Sequence, residues 1–131
     1  MPGKKKTYYE LEIERIYKEH SLPARKYALI RQSKAFMEAH HAESIDLDDL
    51  AKAAFMSRFH YIRVFKQFYG VTPRSYLRDM RISKAKLYLK QGHTITDVCL
   101  AVGYESVATF SNTFKKCTGM SPREYQERNR E

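Results

Sequence analysis

The chain has 131 residues, enough for one compact domain or a domain with a short arm, and no separate sensor domain is expected. Its 24 lysines and arginines against 15 acidic residues give a net charge of +9, which favours a polyanionic partner through counterion release. Charge alone leaves nucleic acid, membrane headgroups and a merely soluble basic surface open. No run approaches the roughly 18 apolar residues of a spanning helix, and Met1–Lys6 leads into Tyr and Glu instead of an apolar signal core. A cytoplasmic chain with no membrane partner is the expectation.

Glycine is scarce, no alternating strand pattern stands out, and apolar residues recur at three and four, so the fold class reads as all-α. Between Thr7 and His20 the residues Tyr9, Ile13, Ile16 and Tyr17 form one stripe, and Pro23 marks the end of a first helix. Ala28, Leu29, Phe36 and Met37, with Ile30 beside them, predict a second helix between Ala24 and His41, closed by His40, His41 and Glu43. Asp46 is a natural N-cap for a short helix to about Ala54, and Asp49 stands where the helix dipole favours negative charge. Ser57 caps the next helix, in which Tyr61, Val64, Phe65 and Phe68 lie at i, i+3, i+4 and i+7 and make a buried face; Gly70 stops it as a left-handed residue. Thr72 and Pro73 open a longer connecting helix, with Tyr76, Leu77, Met80, Ala85, Leu87 and Leu89 as its apolar content as far as Gly92.

The chain then repeats itself. Ser57, Phe65, Lys66, Gly70, Pro73, Arg74 and Tyr76 answer, at an offset of 49, to Ser106, Phe114, Lys115, Gly119, Pro122, Arg123 and Tyr125. Phe110, Thr113, Phe114 and Cys117 repeat the buried pattern. Leu50 and Ala51 answer to Val98 and Cys99 at an offset of 48, which makes Glu105 a one-residue insertion in the second turn. Each copy is a short capped helix, a tight turn and a capped helix of about three turns that buries one face, the pattern of a helix-turn-helix. Spacing alone also admits a duplicated helical hairpin in a protein-interaction adaptor; the basic charge argues against it, but would serve a nonspecific nucleic-acid-binding protein as well.

The stretch from about Tyr27 to Arg128 resembles the DNA-binding domain of the AraC/XylS family of transcription regulators. The similarity is most specific over Thr94-Ile-Thr-Asp-Val-Cys-Leu-Ala-Val-Gly-Tyr-Glu-Ser, followed by Phe110, Phe114-Lys115-Lys116, Gly119 and Ser121-Pro122-Arg123-Glu124-Tyr125. It implies two helix-turn-helix subdomains joined by a rigid linker helix, each placing its second helix in the major groove of double-stranded DNA. The chain is accordingly divided into an N-terminal arm and helix over 1–24 and a DNA-binding domain over 25–131. Within the latter, the first helix-turn-helix takes about 46–70, the linker helix about 73–91, the second helix-turn-helix about 94–119 and a C-terminal helix about 122–129. Phe55 departs from the family pattern, standing where the usual turn glycine is supplied in the second copy by Gly103, so the first turn is expected to be strained or differently shaped. With only about 25 residues ahead of the domain, the chain is more similar to the small MarA-type members, which implies a monomer without a ligand domain. That it is an activator in contact with RNA polymerase is implied by the resemblance alone.

A recognition helix needs a free face that fits a groove about 12 Å wide. Subtracting the buried stripe leaves Arg58, Phe59, Ile62, Arg63 and Lys66 in the first copy and Val107, Ala108, Ser111, Asn112 and Lys115 in the second. Arg63 is the best guanine reader, its planar fork matching O6 and N7, and Asn112 suits adenine in the same bidentate way. Phe59, Ile62, Val107 and Ala108 are expected at thymine methyls; the alternative is packing on the linker or first helix. Lys66, Lys115, Arg74 and Arg123 are expected at phosphates, against a solvated surface role. Open amides at Ser57, Ser106 and Ser121 suit phosphate as well, although Ser121 with Glu124 has capping-box spacing. Two entries about 34 Å apart would let one monomer cover about 20 base pairs of asymmetric sequence.

The stripe Tyr9, Ile13, Ile16 and Tyr17 has three outcomes: docking on the DNA-binding core, pairing with a second copy, or receiving a partner. Docking is the reading adopted, and Lys4–Lys6 is read as a solvated terminus with nonspecific phosphate attraction as the alternative. Cys99 and Cys117 fall on apolar helical positions without metal spacing and read as reduced core thiols. His20, His40, His41, His60 and His93 form no recognised ligand set, and no nucleophile elbow or phosphate loop is visible. No metal, no cofactor and no enzymatic activity are expected.

Overall fold

The structure, a computed structural model, describes residues 7–19 and 22–130, with side chains for 7–16 and 24–130. Among the described residues the regular structure is entirely helical: α1 (Tyr8–Glu19), α2 (Leu22–Ala39), α3 (Leu47–Ala53), α4 (Arg58–Tyr69), α5 (Pro73–Lys90), α6 (Ile95–Ala101), α7 (Val107–Thr118) and α8 (Pro122–Asn129). The expected all-α class is found, with α3–α4 and α6–α7 as the two helix-turn-helix pairs, α5 as the linker helix and α1 as the extra N-terminal helix. The Lys4–Lys6 arm, His20 and the side chain of Tyr17 lie outside the described residues. Pro23 does not separate two helices; it sits in the first turn of α2, where a missing amide costs no intrahelical bond. None of the described helices is long and apolar enough to cross a membrane.

The chain divides into two compact units, one formed by the chain through Ala39 with Asp46–Ser75, the other by His40–Ile45 with the residues from Tyr76 onward. In the first, Tyr9, Ile13 and Ile16 of α1 are buried, and the Tyr9 ring meets Phe36 of α2 at 4.4 Å. The apolar stripe of α1 is thus docked within its own unit. Ile30 and Met37 from α2, Leu50 and Ala51 from α3, and Tyr61, Val64 and Phe65 from α4 complete the core. Among the described residues the polar side chain of Ser33 is fully enclosed there: its hydroxyl donates to the Ile30 carbonyl at 2.8 Å and accepts from the Tyr61 hydroxyl at 2.8 Å. That pair satisfies both groups in a place where water cannot.

In the second unit Ile82, Ala85 and Leu89 of α5 pack with Val98, Cys99 and Val102, with Phe110 and Phe114 of α7 and with Tyr125 of α8. Phe110, Phe114 and Tyr125 follow one another at ring separations of 5.8 and 5.4 Å. The Gln126 amide donates to the carbonyls of Leu89 and His93 at 3.1 and 2.7 Å, tying α8 to the open end of α5. Leu87, read from sequence as apolar content of the linker, is instead 46 % exposed, and Ile82 fills the core.

Two apolar expectations fail at equivalent places. Phe68 is 41 % exposed and Cys117 is exposed, although both complete an i+7 pattern. The position lies in the last turn of each second helix. Phe68 there meets the Tyr27 ring edge-on at 5.1 Å and stays partly open. Cys99, by contrast, is the core thiol expected, and burial pushes its pKa up.

Candidate nucleic-acid interface

Each recognition helix is set by its ends. Ser57 accepts from the His60 amide at 3.2 Å and Ser106 from the Thr109 amide at 3.1 Å, both with extended cap backbones. Gly70 and Gly119 close the two helices at φ of 77° and 82°, a conformation open to glycine at little cost. The turn before each is also the same device. The amide of Met56 donates to Ala51 and that of Phe55 to Lys52; the amide of Tyr104 donates to Cys99 and that of Gly103 to Leu100. Each is a Schellman closure whose C′ residue must be left-handed. Phe55 meets that requirement at φ 59° and is the one non-glycine residue with positive φ among those described. The strain expected at this turn is there, in an otherwise unchanged turn geometry. The second turn is longer by Glu105, as the offset in the repeat indicated.

Position along the helix then decides which side chains stay free. Tyr61, Val64 and Phe65 take the inner face of α4, and Phe110 and Phe114 that of α7. Opposite them, Arg58, Phe59, Arg63 and Lys66 are exposed and Ile62 is half-buried; on α7, Val107, Ala108, Asn112 and Lys115 are exposed and Ser111 is half-buried. Phe59 is 80 % exposed and so has not gone to packing on a neighbouring helix, whereas Val107 at 40 % and half-buried Ile62 have part of their surface covered. Arg58 reaches Asp48 at 3.6 Å, and Arg123 reaches Glu127 at 3.6 Å, both as exposed pairs that can be exchanged for another anion at small cost. Arg74 and Arg123 stand in the first turns of α5 and α8, behind the buried prolines Pro73 and Pro122.

One electrostatic feature escaped the sequence reading. Neither α4 nor α7 contains an aspartate or glutamate, in a chain that has 15 of them. Their partner helices do carry carboxylates in the first turn, Asp48 and Asp49 in α3 and Asp97 in α6, where they offset the helix dipole. The second helices carry no carboxylate of their own in that first turn. A solvated helix ordinarily mixes both signs of charge, and these two helices at matching places carry only positive or neutral side chains. Counting acids helix by helix would have exposed this in the sequence.

A helix-turn-helix domain family model matches residues 50–128, which begins within α3 and takes in α4, the linker α5, the pair α6–α7 and most of α8. The chain belongs to the AraC-type helix-turn-helix family of transcriptional regulators. This is a family of regulators and not of enzymes. The AraC-type chain is 34 % identical over 101 residues to YdeC, an HTH-type transcriptional regulator of Bacillus subtilis, covering 76 % of the chain and 35 % of that relative. It therefore spans about a third of the length of that relative. Among solved structures it is similar to the C-terminal domain of AraT, a response regulator from Geobacillus stearothermophilus, with a TM-score of 0.73 and 26 % identity over 79 % of this chain and 87 % of that one. The DNA-binding domain of AdpA, determined in complex with a target DNA, matches with a TM-score of 0.71 and 26 % identity over 76 % of this chain and 90 % of that one.

Proposed function

We propose that this AraC-type chain is a sequence-specific reader of duplex DNA that inserts α4 and α7 into successive major grooves and activates transcription. The observation that carries the reading is the pair of capped, carboxylate-free helices, each with an exposed face of mixed polar and apolar side chains. On α4, Arg63 reads guanine through O6 and N7, with Arg58 beside it; on α7, Asn112 reads adenine, with Ser111 beside it. Phe59, Ile62, Val107 and Ala108 meet thymine methyls. Lys66, Arg74, Lys115 and Arg123 hold phosphates and set the register without carrying sequence information. The reading is assigned to residues 25–131, in a chain that acts as a monomer on an asymmetric site; contact with RNA polymerase is drawn from the family.

The test is selection of bound duplexes from a random pool of 30-base-pair length, followed by binding of the winner to wild type, Arg63→Ala and Asn112→Ala across a salt series. Two enriched blocks about one helical turn apart are expected, each substitution relaxing one block at a cost of about 1–3 kcal/mol. A pool that enriches nothing, with affinity that only tracks salt, would leave a protein that holds DNA without reading it.

A further inference from the structure

The turn between α6 and α7 is braced from a place its own sequence does not announce. The Arg81 guanidinium, half-buried on α5, donates from Nε to the His41 carbonyl at 2.8 Å and from Nη2 to the Glu43 carbonyl at 3.0 Å. The same guanidinium lies over the Tyr104 ring at 5.5 Å. Tyr104 is the residue just after the left-handed Gly103, and it meets α7 through its ring, which packs 5.5 Å from Phe110. The 40–45 segment comes so close that a Cβ on residue 103 would stand 2.6 Å from the His41 carbonyl oxygen and 3.0 Å from Arg81 Nε. All of these groups belong to the second unit. The first copy has Phe55 at the place of Gly103, with its ring 62 % exposed, so the same close approach is not built there.

We infer that Arg81 is a positioning residue for the second recognition helix: by holding two backbone carbonyls on one side and Tyr104 on the other, it sets the orientation in which α7 presents Ser111 and Asn112, while touching no base itself. The inference rests on the reading of α7 as a base-reading helix. The physical ground is the planar fork. Two carbonyls and a ring face are satisfied at once by a guanidinium, whereas a lysine ammonium on a flexible stem brings the same charge without that geometry. Base readout needs donors and acceptors placed within a few tenths of an ångström, so a turn released from its brace loses discrimination before it loses fold.

The experiment uses the full chain, the duplex selected by the wild type, and every single-base variant of it, with Arg81→Lys, Arg81→Met and Tyr104→Leu as proteins. Thermal unfolding and the fraction of molecules active in titration are measured alongside. Both Arg81 variants are expected to lose about ten-fold in discrimination at the block read by α7 while the block read by α4 keeps its pattern, and Tyr104→Leu, which removes the ring between Arg81 and Phe110, to lose about three-fold at that same α7 block. Wild-type behaviour of Arg81→Lys would show that charge alone matters, as for a direct phosphate contact, and would overturn the positioning role. So would an equal loss in both blocks, an unchanged pattern, or a fall in active fraction with the pattern intact. If the wild type itself selects no site, the DNA reading fails first, and this role fails with it.

Discussion

Phe55 and Gly103 occupy the same position in two copies of one turn, and the contrast isolates what a left-handed residue costs. A side chain at φ 59° costs about 1–2 kcal/mol relative to a relaxed backbone, and most of it is avoided by glycine. Phe55→Gly is therefore expected to raise the stability of the chain by about 1 kcal/mol in urea unfolding; no gain would mean that contacts of the ring offset the strain. Gly103→Ala runs the other way. It combines φ 100° with a Cβ 2.6 Å from a backbone oxygen, and a loss of about 2–3 kcal/mol is expected in the same assay. The first of these places was legible in the sequence, because the repeat aligned a phenylalanine with a glycine. The crowding at Gly103 was not, since the groups that approach it come from residues 41, 42 and 81.

The helices themselves were legible from three signals that acted together: the caps Asp46, Ser57, Ser106 and Ser121, the glycine stops, and the i, i+3, i+4 spacing. Where the reading slipped, at Phe68, Leu87 and Cys117, periodicity gave the side of the helix and not how far along it the cover extends. Burial within an element also creates its polar obligations. Tyr61 and Ser33 meet theirs with each other, but the enclosed Tyr9 hydroxyl makes no hydrogen bond among the described residues. Tyr61→Phe is expected to cost about 1–2 kcal/mol, while Tyr9→Phe is expected to be neutral or stabilising by up to about 1 kcal/mol, each read from urea midpoints. The same burial shapes the alkaline limb. Desolvation raises the Tyr61 pKa from 10.0 to about 12 and raises that of Tyr9 as well. Below pH 10 both folded and unfolded chains keep these protons and stability is flat in this respect. From pH 10 to 12 the unfolded chain gives them up first, so stability should fall by up to about 1.4 kcal/mol per pH unit for each such tyrosine. In Tyr61→Phe that limb should be shallower between pH 10 and 12; an unchanged slope would remove Tyr61 as its source.

At the scale of the whole chain, the net charge of +9 and the two carboxylate-free helices act on the same equilibrium in different ways. Charge that meets phosphate is seen in the slope of affinity against salt, and charge elsewhere is not. Replacing Lys66, Arg74, Lys115 or Arg123 singly by alanine is expected to reduce that slope by about 1 each and to weaken all duplexes alike. A residue whose loss leaves the slope untouched is a surface cation and nothing more. The division into units was only partly open to sequence reasoning. The duplication of the helix-turn-helix could be counted, but His40–Ile45 belongs to the second unit, where Arg81, about 40 positions on, holds the carbonyls of His41 and Glu43, and no local pattern records that.

The two thiols, one enclosed and one open, give the molecule a built-in chemical handle. Cys117 lies five positions after Asn112 on α7, which at 100° per residue places it about 140° round the helix, away from the reading face. A thiol-directed fluorophore should attach there in the folded wild-type chain, with Cys99 reacting only on unfolding. One label would then report both engagement of the second recognition helix and opening of the core around Cys99, the second through its rising stoichiometry.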